Sequence, residues 1–143
     1  MQMATNNLNM IIVVISTMLA LAVVARGRTF TVGGDAGWRY GFDHLNHIKD
    51  YDLIIGDKLL FKYPPGKHDV VEVSTENYVK CTVPPGAKVL TSGSDIIEFK
   101  EAGRRNFICS KDNGRHCREG NMKVYYNVPE TYASSRKLVA EKV

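Results

Sequence analysis

The stretch Phe107-Ile108-Cys109-Ser110-Lys111-Asp112-Asn113-Gly114-Arg115-His116-Cys117-Arg118-Glu119-Gly120-Asn121-Met122-Lys123 packs two cysteines, a histidine and a methionine into one short run. A thiolate, an imidazole and a thioether brought together form a soft-donor set. Such sets select copper over hard cations, and a Cys with two His and a weak axial Met makes a blue-copper electron-transfer site. The run offers one Cys, one His and one Met. The second His must come from elsewhere in the chain.

Outward from that run the chain reads as short strands. Asn106-Phe107-Ile108-Cys109 is a strand that delivers the thiol, and Lys123-Val124-Tyr125-Tyr126-Asn127-Val128 closes the domain. Upstream, the expected strands are Thr29-Phe30-Thr31-Val32, Lys58 to Tyr63, Lys67 to Val73, Lys88-Val89-Leu90 and Asp95 to Phe99. Turn signals separate them: Gly33-Gly34-Asp35-Ala36-Gly37, Gly56-Asp57, Pro64-Pro65-Gly66, Pro84-Pro85-Gly86, Thr91-Ser92-Gly93-Ser94 and Ala102-Gly103-Arg104. Short strands at regular spacing with Gly/Pro turns predict an all-β sandwich or barrel. No helical pattern of any length is visible, and no repeat of fixed period.

The domain does not start at residue 1. Met10 to Val24 is an almost unbroken apolar run, and Ala25-Arg26-Gly27 supplies small residues before Arg28. Residues 1–27 read as a signal peptide cleaved near Ala25 or Gly27, although Met1 to Asn9 carries no Lys or Arg. The alternative is an uncleaved anchor, for which the run is short. The domain is expected over 28–128, followed by a polar tail over 129–143. That tail shows neither a lipid-anchor signal nor a Pro/Ser-rich stalk. A soluble, secreted chain in the apoplast or cell wall is the expectation, without a stable membrane anchor. No Asn-x-Ser/Thr acceptor follows the leader.

Secretion permits disulfides. The three cysteines, Cys81, Cys109 and Cys117, leave one thiol over in any pairing. Cys81 with Cys117 frees Cys109 at the start of the Cys-His-Met run; Cys109 with Cys117 frees Cys81; Cys81 with Cys109 frees Cys117. The formal net charge is +4. A small positive excess favours anionic partners such as acidic wall polysaccharide, while the scattered basic residues give no nucleic-acid signature.

Four histidines are available. His44 and His47 are three apart and would share a helix face, but no carboxylate-plus-His motif accompanies them; they are expected as solvated loop residues. His68 follows a turn at the mouth of a strand, a good place for a ligand held by a rigid scaffold, although its position alone favours an exposed histidine at a loop end. Trp38, the only tryptophan, is expected to pack rather than to take part in chemistry. Oxygen chemistry needs open coordination positions, usually with more histidines than these, so an oxidase or dismutase is disfavoured. Zinc would find only an incomplete structural site.

The residues resemble the phytocyanins, plant members of the cupredoxins, and within them the plantacyanin, or basic blue protein, branch. The resemblance rests on Phe30-Thr31-Val32-Gly33-Gly34 with Gly37-Trp38, on Gly56 to Tyr63, His68 to Val73, Tyr78 to Cys81, Pro85 to Gly93, and Phe107-Ile108-Cys109 through His116-Cys117 to Gly120-Asn121-Met122-Lys123. It covers the chain from about Thr29 to Val128. It implies a Greek-key β-sandwich with one type 1 copper, held by His68, Cys109 and His116 with Met122 axial, and a disulfide between Cys81 and Cys117. It implies an electron carrier rather than an enzyme, a monomer serving an unidentified small redox partner or protein. Two departures stand out. The segment between Cys109 and His116 is longer than the family's, with the extra residues around Asn113-Gly114, and Asn121 intervenes between Gly120 and Met122. The longer loop either bulges outward or displaces His116. In the second case the site binds copper poorly or not at all, and the alternative function is a copper-free binding or signalling module of the same fold at the plant cell wall or surface. Asn121 is a rival axial ligand through its side-chain oxygen; softness favours Met122.

Overall fold

The computed structural model describes residues 27–49 and 51–130. Except for Gly27, the expected leader lies outside the described residues, as does the expected tail beyond Glu130.

The described residues form seven strands in two sheets. β1 (Thr29–Thr31), β2 (Lys58–Lys62) and β5 (Ser94–Glu98) make one, in the order β1-β2-β5. β3 (Val70–Val73), β4 (Val89–Leu90), β6 (Gly103–Ile108) and β7 (Lys123–Val128) make the other, in the order β4-β3-β6-β7. β1 runs parallel to β2; every other pairing is antiparallel. The chain leaves the second sheet after β4, adds β5 to the first, and returns as β6 beside β3. That crossing produces the Greek-key sandwich expected from the sequence.

Alternation explains the layers. In β2, Leu59 and Phe61 are fully buried while Lys62 is exposed. In β7, Val124, Tyr126 and Val128 point inward. These pack with Val32, Trp38, Phe99 and Phe107 in the main core between the sheets. Val71 and Ile108 face the other way, into a second cluster with Tyr78, Cys81 and Cys117. Both faces of β3 and β6 are therefore covered, which is why neither strand shows a clean polar side.

Among the described residues three short α-helices interrupt the strands, against the expectation of none: α1 (His44–Ile48), α2 (Thr75–Lys80) and α3 (Lys111–Arg118). Each is too short for a 3.6-residue period to emerge from the sequence. Capping shows where two of them start. The Asp43 side chain accepts from the Asn46 N–H at 3.0 Å, and the Ser74 hydroxyl accepts from the Asn77 N–H at 3.2 Å. Most strand boundaries shift by a residue, and two shift further. The expected turn at Ala102-Gly103-Arg104 is partly strand, since β6 begins at Gly103. The strand expected from Lys67 begins only at Val70, which leaves Lys67, His68 and Asp69 in the loop.

Among the described residues, no helix is long and apolar enough to cross a membrane.

Candidate metal centre

Three loop or strand-end positions converge at one end of the sandwich. His68 lies just before β3, Cys109 just after β6, and His116 within α3. β3 and β6 are neighbours, with Val71 opposite Ile108, so His68 and Cys109 leave adjacent strands at the same edge. Their ligand atoms and that of His116 all lie within 4.8 Å of one another. The two imidazoles face each other through Nδ1, 3.1 Å apart, and His116 Nδ1 is 3.6 Å from the Cys109 sulfur. Ligands bound about 2.0–2.3 Å from one ion stand roughly 3–4 Å from each other. The trio fits a single small metal ion of borderline or soft character.

The segment between Cys109 and His116 bulges without displacing the histidine. Asp112, Asn113 and Gly114 all take left-handed backbone angles, φ 53°, 53° and 78°. The kink is held from inside: the Gly114 N–H donates to the Ser110 carbonyl at 2.9 Å. Gly114 is buried, and a Cβ there would stand 2.2 Å from the Cys81 carbonyl oxygen. The far end is held as well. Met122 N–H donates to the His116 carbonyl at 3.0 Å, and Cys109 N–H donates to the Met122 carbonyl at 2.9 Å. Met122 is fully buried in the main core, whereas Asn121 is exposed at φ 53°. Cys81 and Cys117 are disulfide-bonded, which ties α3 to the end of α2 and leaves Cys109 as the free, buried thiol.

The electrostatics follow from burial. Burial pushes the Cys109 thiol up to about 12; backbone hydrogen bonds from Asp69 and Lys111 oppose the rise, and the Asp69 carboxylate adds to it. Burial also lowers the pKa of His68, with the neighbouring His116 adding to the fall and Asp69 opposing it. A neutral imidazole keeps the lone pair that a metal needs. His116 turns Nδ1 inward, while its Nε2 lies 3.5 Å from the Asp112 carboxylate. Its side chain is 17% exposed, and the half-exposed Tyr40 ring meets it edge-on at 5.4 Å. One imidazole thus connects the buried donors to the surface.

The other two histidines stay apart from this group. His44 is fully buried, its ring tilted against Trp38 at 4.5 Å and Phe42 at 5.0 Å, with Nε2 3.0 Å from the Arg39 carbonyl. The expectation of a solvated loop residue fails for it. The Trp38–Phe61 core extends over α1, and the ring is aromatic enough to join that stack. His47 is half-buried and hydrogen-bonds the Tyr51 hydroxyl at 2.9 Å. Trp38 packs, as expected, and its indole N–H donates to the Asp69 carbonyl at 2.9 Å. Sequence reasoning passed over Asp69 itself, which is buried and bonded to Ser110. The available signal was an acidic residue between a candidate ligand and a run of valines.

Residues 38–121 match the plastocyanin-like domain family. The chain belongs to that family. Blue copper protein 1b of Medicago truncatula is 34% identical over 118 residues, covering 82% of this chain and 72% of that protein. The basic blue protein of Arabidopsis thaliana is 37% identical over 110 residues, covering 77% of this chain and 81% of its own. Among solved structures, cucumber basic protein, a blue copper protein, superposes with a TM-score of 0.63 at 38% identity, over 71% of this chain and 99% of that one. The plastocyanin-like chain therefore shares its cupredoxin sandwich and its resemblance to the plantacyanin branch with plant blue copper and basic blue proteins.

Proposed function

We propose that this chain is a type 1 copper protein that carries single electrons and is not an enzyme. The observation that carries the reading is the convergence of His68, Cys109 and His116 within 4.8 Å at one end of a plastocyanin-like sandwich. His68, Cys109 and His116 would be the equatorial ligands, and Met122 the weak axial one. Softness and burial both favour Met122 over the exposed Asn121. Copper bound there supplies a one-electron couple between its +1 and +2 states.

The protein's contribution is to hold the donors. β3 and β6 fix His68 and Cys109 through the sheet register, and the Met122 backbone bonds fix the loop that bears His116. Burial of Cys109 and Met122 excludes water from the sulfur donors. His116 offers the surface its outer ring edge, beside Tyr40 and Asp112, where a small redox partner can dock briefly. The apolar leader supports secretion to the apoplast or wall, where the Cys81–Cys117 bond would persist. The leader takes away one charge, Arg26, from the formal +4, and the remaining positive excess supports contact with acidic wall polysaccharide.

The test is copper loading followed by visible and electron paramagnetic resonance spectra. An intense blue band that Cys109→Ser abolishes is expected. A colourless wild-type protein after loading would refute the reading and leave a copper-free module of the same fold.

A further inference from the structure

The two ring nitrogens of the fully buried His44 have different surroundings. Nε2 lies 3.0 Å from the Arg39 carbonyl, which can only accept, so in the neutral ring the proton sits on Nε2. Nδ1 has no hydrogen-bond partner among the described residues. Trp38 and Phe42 lie against the ring at 4.5 and 5.0 Å. A second proton would place an N–H and a full charge at Nδ1, among aromatic side chains, with nothing there to accept it. A buried, unpaired charged donor is expensive.

The neighbouring charges do not offset that cost. Among the described residues, Asp43, Arg39 and His47 bear on the ring. The Asp43 carboxylate favours a charged ring, but it already accepts from the Asn46 N–H at 3.0 Å. The Arg39 guanidinium and His47 disfavour it. From the β7 side Lys123 borders the same pocket, yet its ammonium lies over the Tyr78 ring, 5.2 Å from the centroid. Burial dominates and lowers the His44 pKa below its ordinary 6.5, with the Arg39 carbonyl and Asp43 opposing the fall. The helix that carries this ring is weakly held. It has five residues and one side-chain cap, so its stability comes from packing. An open pocket of about 260 Å³, lined by Asp43, His44, Leu45, Asn121 and Lys123, gives the ring room to reach water.

We propose that His44 is a pH-sensitive latch: its neutral ring holds α1 over Trp38, and its protonation releases α1 from the sandwich in mildly acidic surroundings. The latch goes beyond the copper reading and needs no metal. When α1 opens, the ring meets water and takes up a proton near its ordinary value of 6.5; packed, it resists until a lower pH. The open form therefore binds more protons. The latch is fully closed above 6.5 and weakens as pH falls below it, by up to about tenfold per pH unit, until the lower packed value is reached.

The test is hydrogen exchange on the full chain, without copper, between about pH 7.5 and about pH 5. It is read at the Asn46 and His47 amides, which donate to Asp43, and corrected for the intrinsic exchange rate. Opening of α1 is expected to rise about tenfold across that window while the Phe61 and Val124 amides stay protected. Emission from Trp38, the only tryptophan, should move to the red with the same midpoint. His44→Phe keeps an aromatic ring and removes the titrating group, so opening should stay flat; His47→Gln should keep the wild-type rise. The proposal is overturned if wild-type opening is flat, if His44→Phe keeps the rise, or if His47→Gln abolishes it. Parallel opening of Phe61 and Val124 would also overturn it, because the event would then be global unfolding. Should His44→Phe fail to fold, the ring's own titration in the wild type decides by nuclear magnetic resonance. A midpoint below 6.5 supports the latch, and one at or above 6.5 overturns it. Failure of the copper reading leaves each of these measurements in place.

Discussion

Gly114→Ala is the substitution that bears most directly on how the long loop is kept in place. Gly114 has φ +78°, a left-handed conformation that costs a residue with a Cβ roughly 1–2 kcal/mol. A Cβ would also stand 2.2 Å from the Cys81 carbonyl oxygen and 2.9 Å from an Arg118 nitrogen. The arginine can swing away. The carbonyl cannot, because Cys81 is itself tied to Cys117, three residues beyond Gly114. Forcing backbone apart in a packed site costs about 1–3 kcal/mol, so the total is about 2–5 kcal/mol. Gly66→Ala is the control: φ is +81°, and nothing lies within 4 Å of its Cβ. It should cost only the conformational part. Urea denaturation of the copper-free proteins, with the slope held equal across variants, gives both numbers. Gly114→Ala should be less stable than Gly66→Ala by at least 1 kcal/mol, and it should take up copper more weakly because His116 lies two residues on. Equal losses in the two variants would refute the claim that the loop is wedged against the disulfide segment.

Other outcomes follow from the same contacts. Replacing Cys81 and Cys117 together by Ala opens a loop with a sequence separation of 36; chain entropy puts the loss at about 4 kcal/mol, measurable by thermal unfolding. Asp57 is pulled up by burial but more than balanced by hydrogen bonds from the Arg28 side chain and backbone and from Ile54, so its pKa is lowered. The unfolded chain then binds more protons, so the stability Asp57 confers is present above its ordinary value of 3.8 and is lost as pH falls through the lower folded value. Asp57→Asn should flatten that acid limb in a stability-versus-pH curve, and an unchanged limb would assign it to other groups. Met122→Leu should raise the potential of the copper-loaded protein while Asn121→Ala leaves it nearly fixed; the reverse pattern would move the axial role to Asn121.

Most of the sandwich was legible because short β-rich runs are punctuated by Gly/Pro turns. Thr29–Val32 alternates, whereas Leu59-Leu60-Phe61 is an unbroken apolar run whose inner face only the structure shows. The helices were not, because α1 and α2 owe their existence to a single cap each, Asp43 and Ser74, and to packing on β7 and β6 that sequence does not display. Residue types alone offered Cys109, His116 and Met122 as donors, and the resemblance supplied His68. The geometry of that set could not be read, since whether Asp112 to Gly114 bulge or push depends on three left-handed residues and on the space beside Cys81. His44 was misread for a related reason. A histidine between Asp43 and Asn46 looks solvated until Trp38 and Phe42 close over it.

The backbone bonds from Met122 to His116 and to Cys109 have a consequence for how such a chain can change over time. They shut the segment into a cassette hinged on the adjacent ends of β6 and β7 and pinned to the rest of the sandwich by the Cys81–Cys117 bond. Residues can be inserted inside that cassette while the flanking ladders keep their register. Diversification of the electron-handling end can then proceed by swapping one hinge-to-hinge insert, with the scaffold left as inherited.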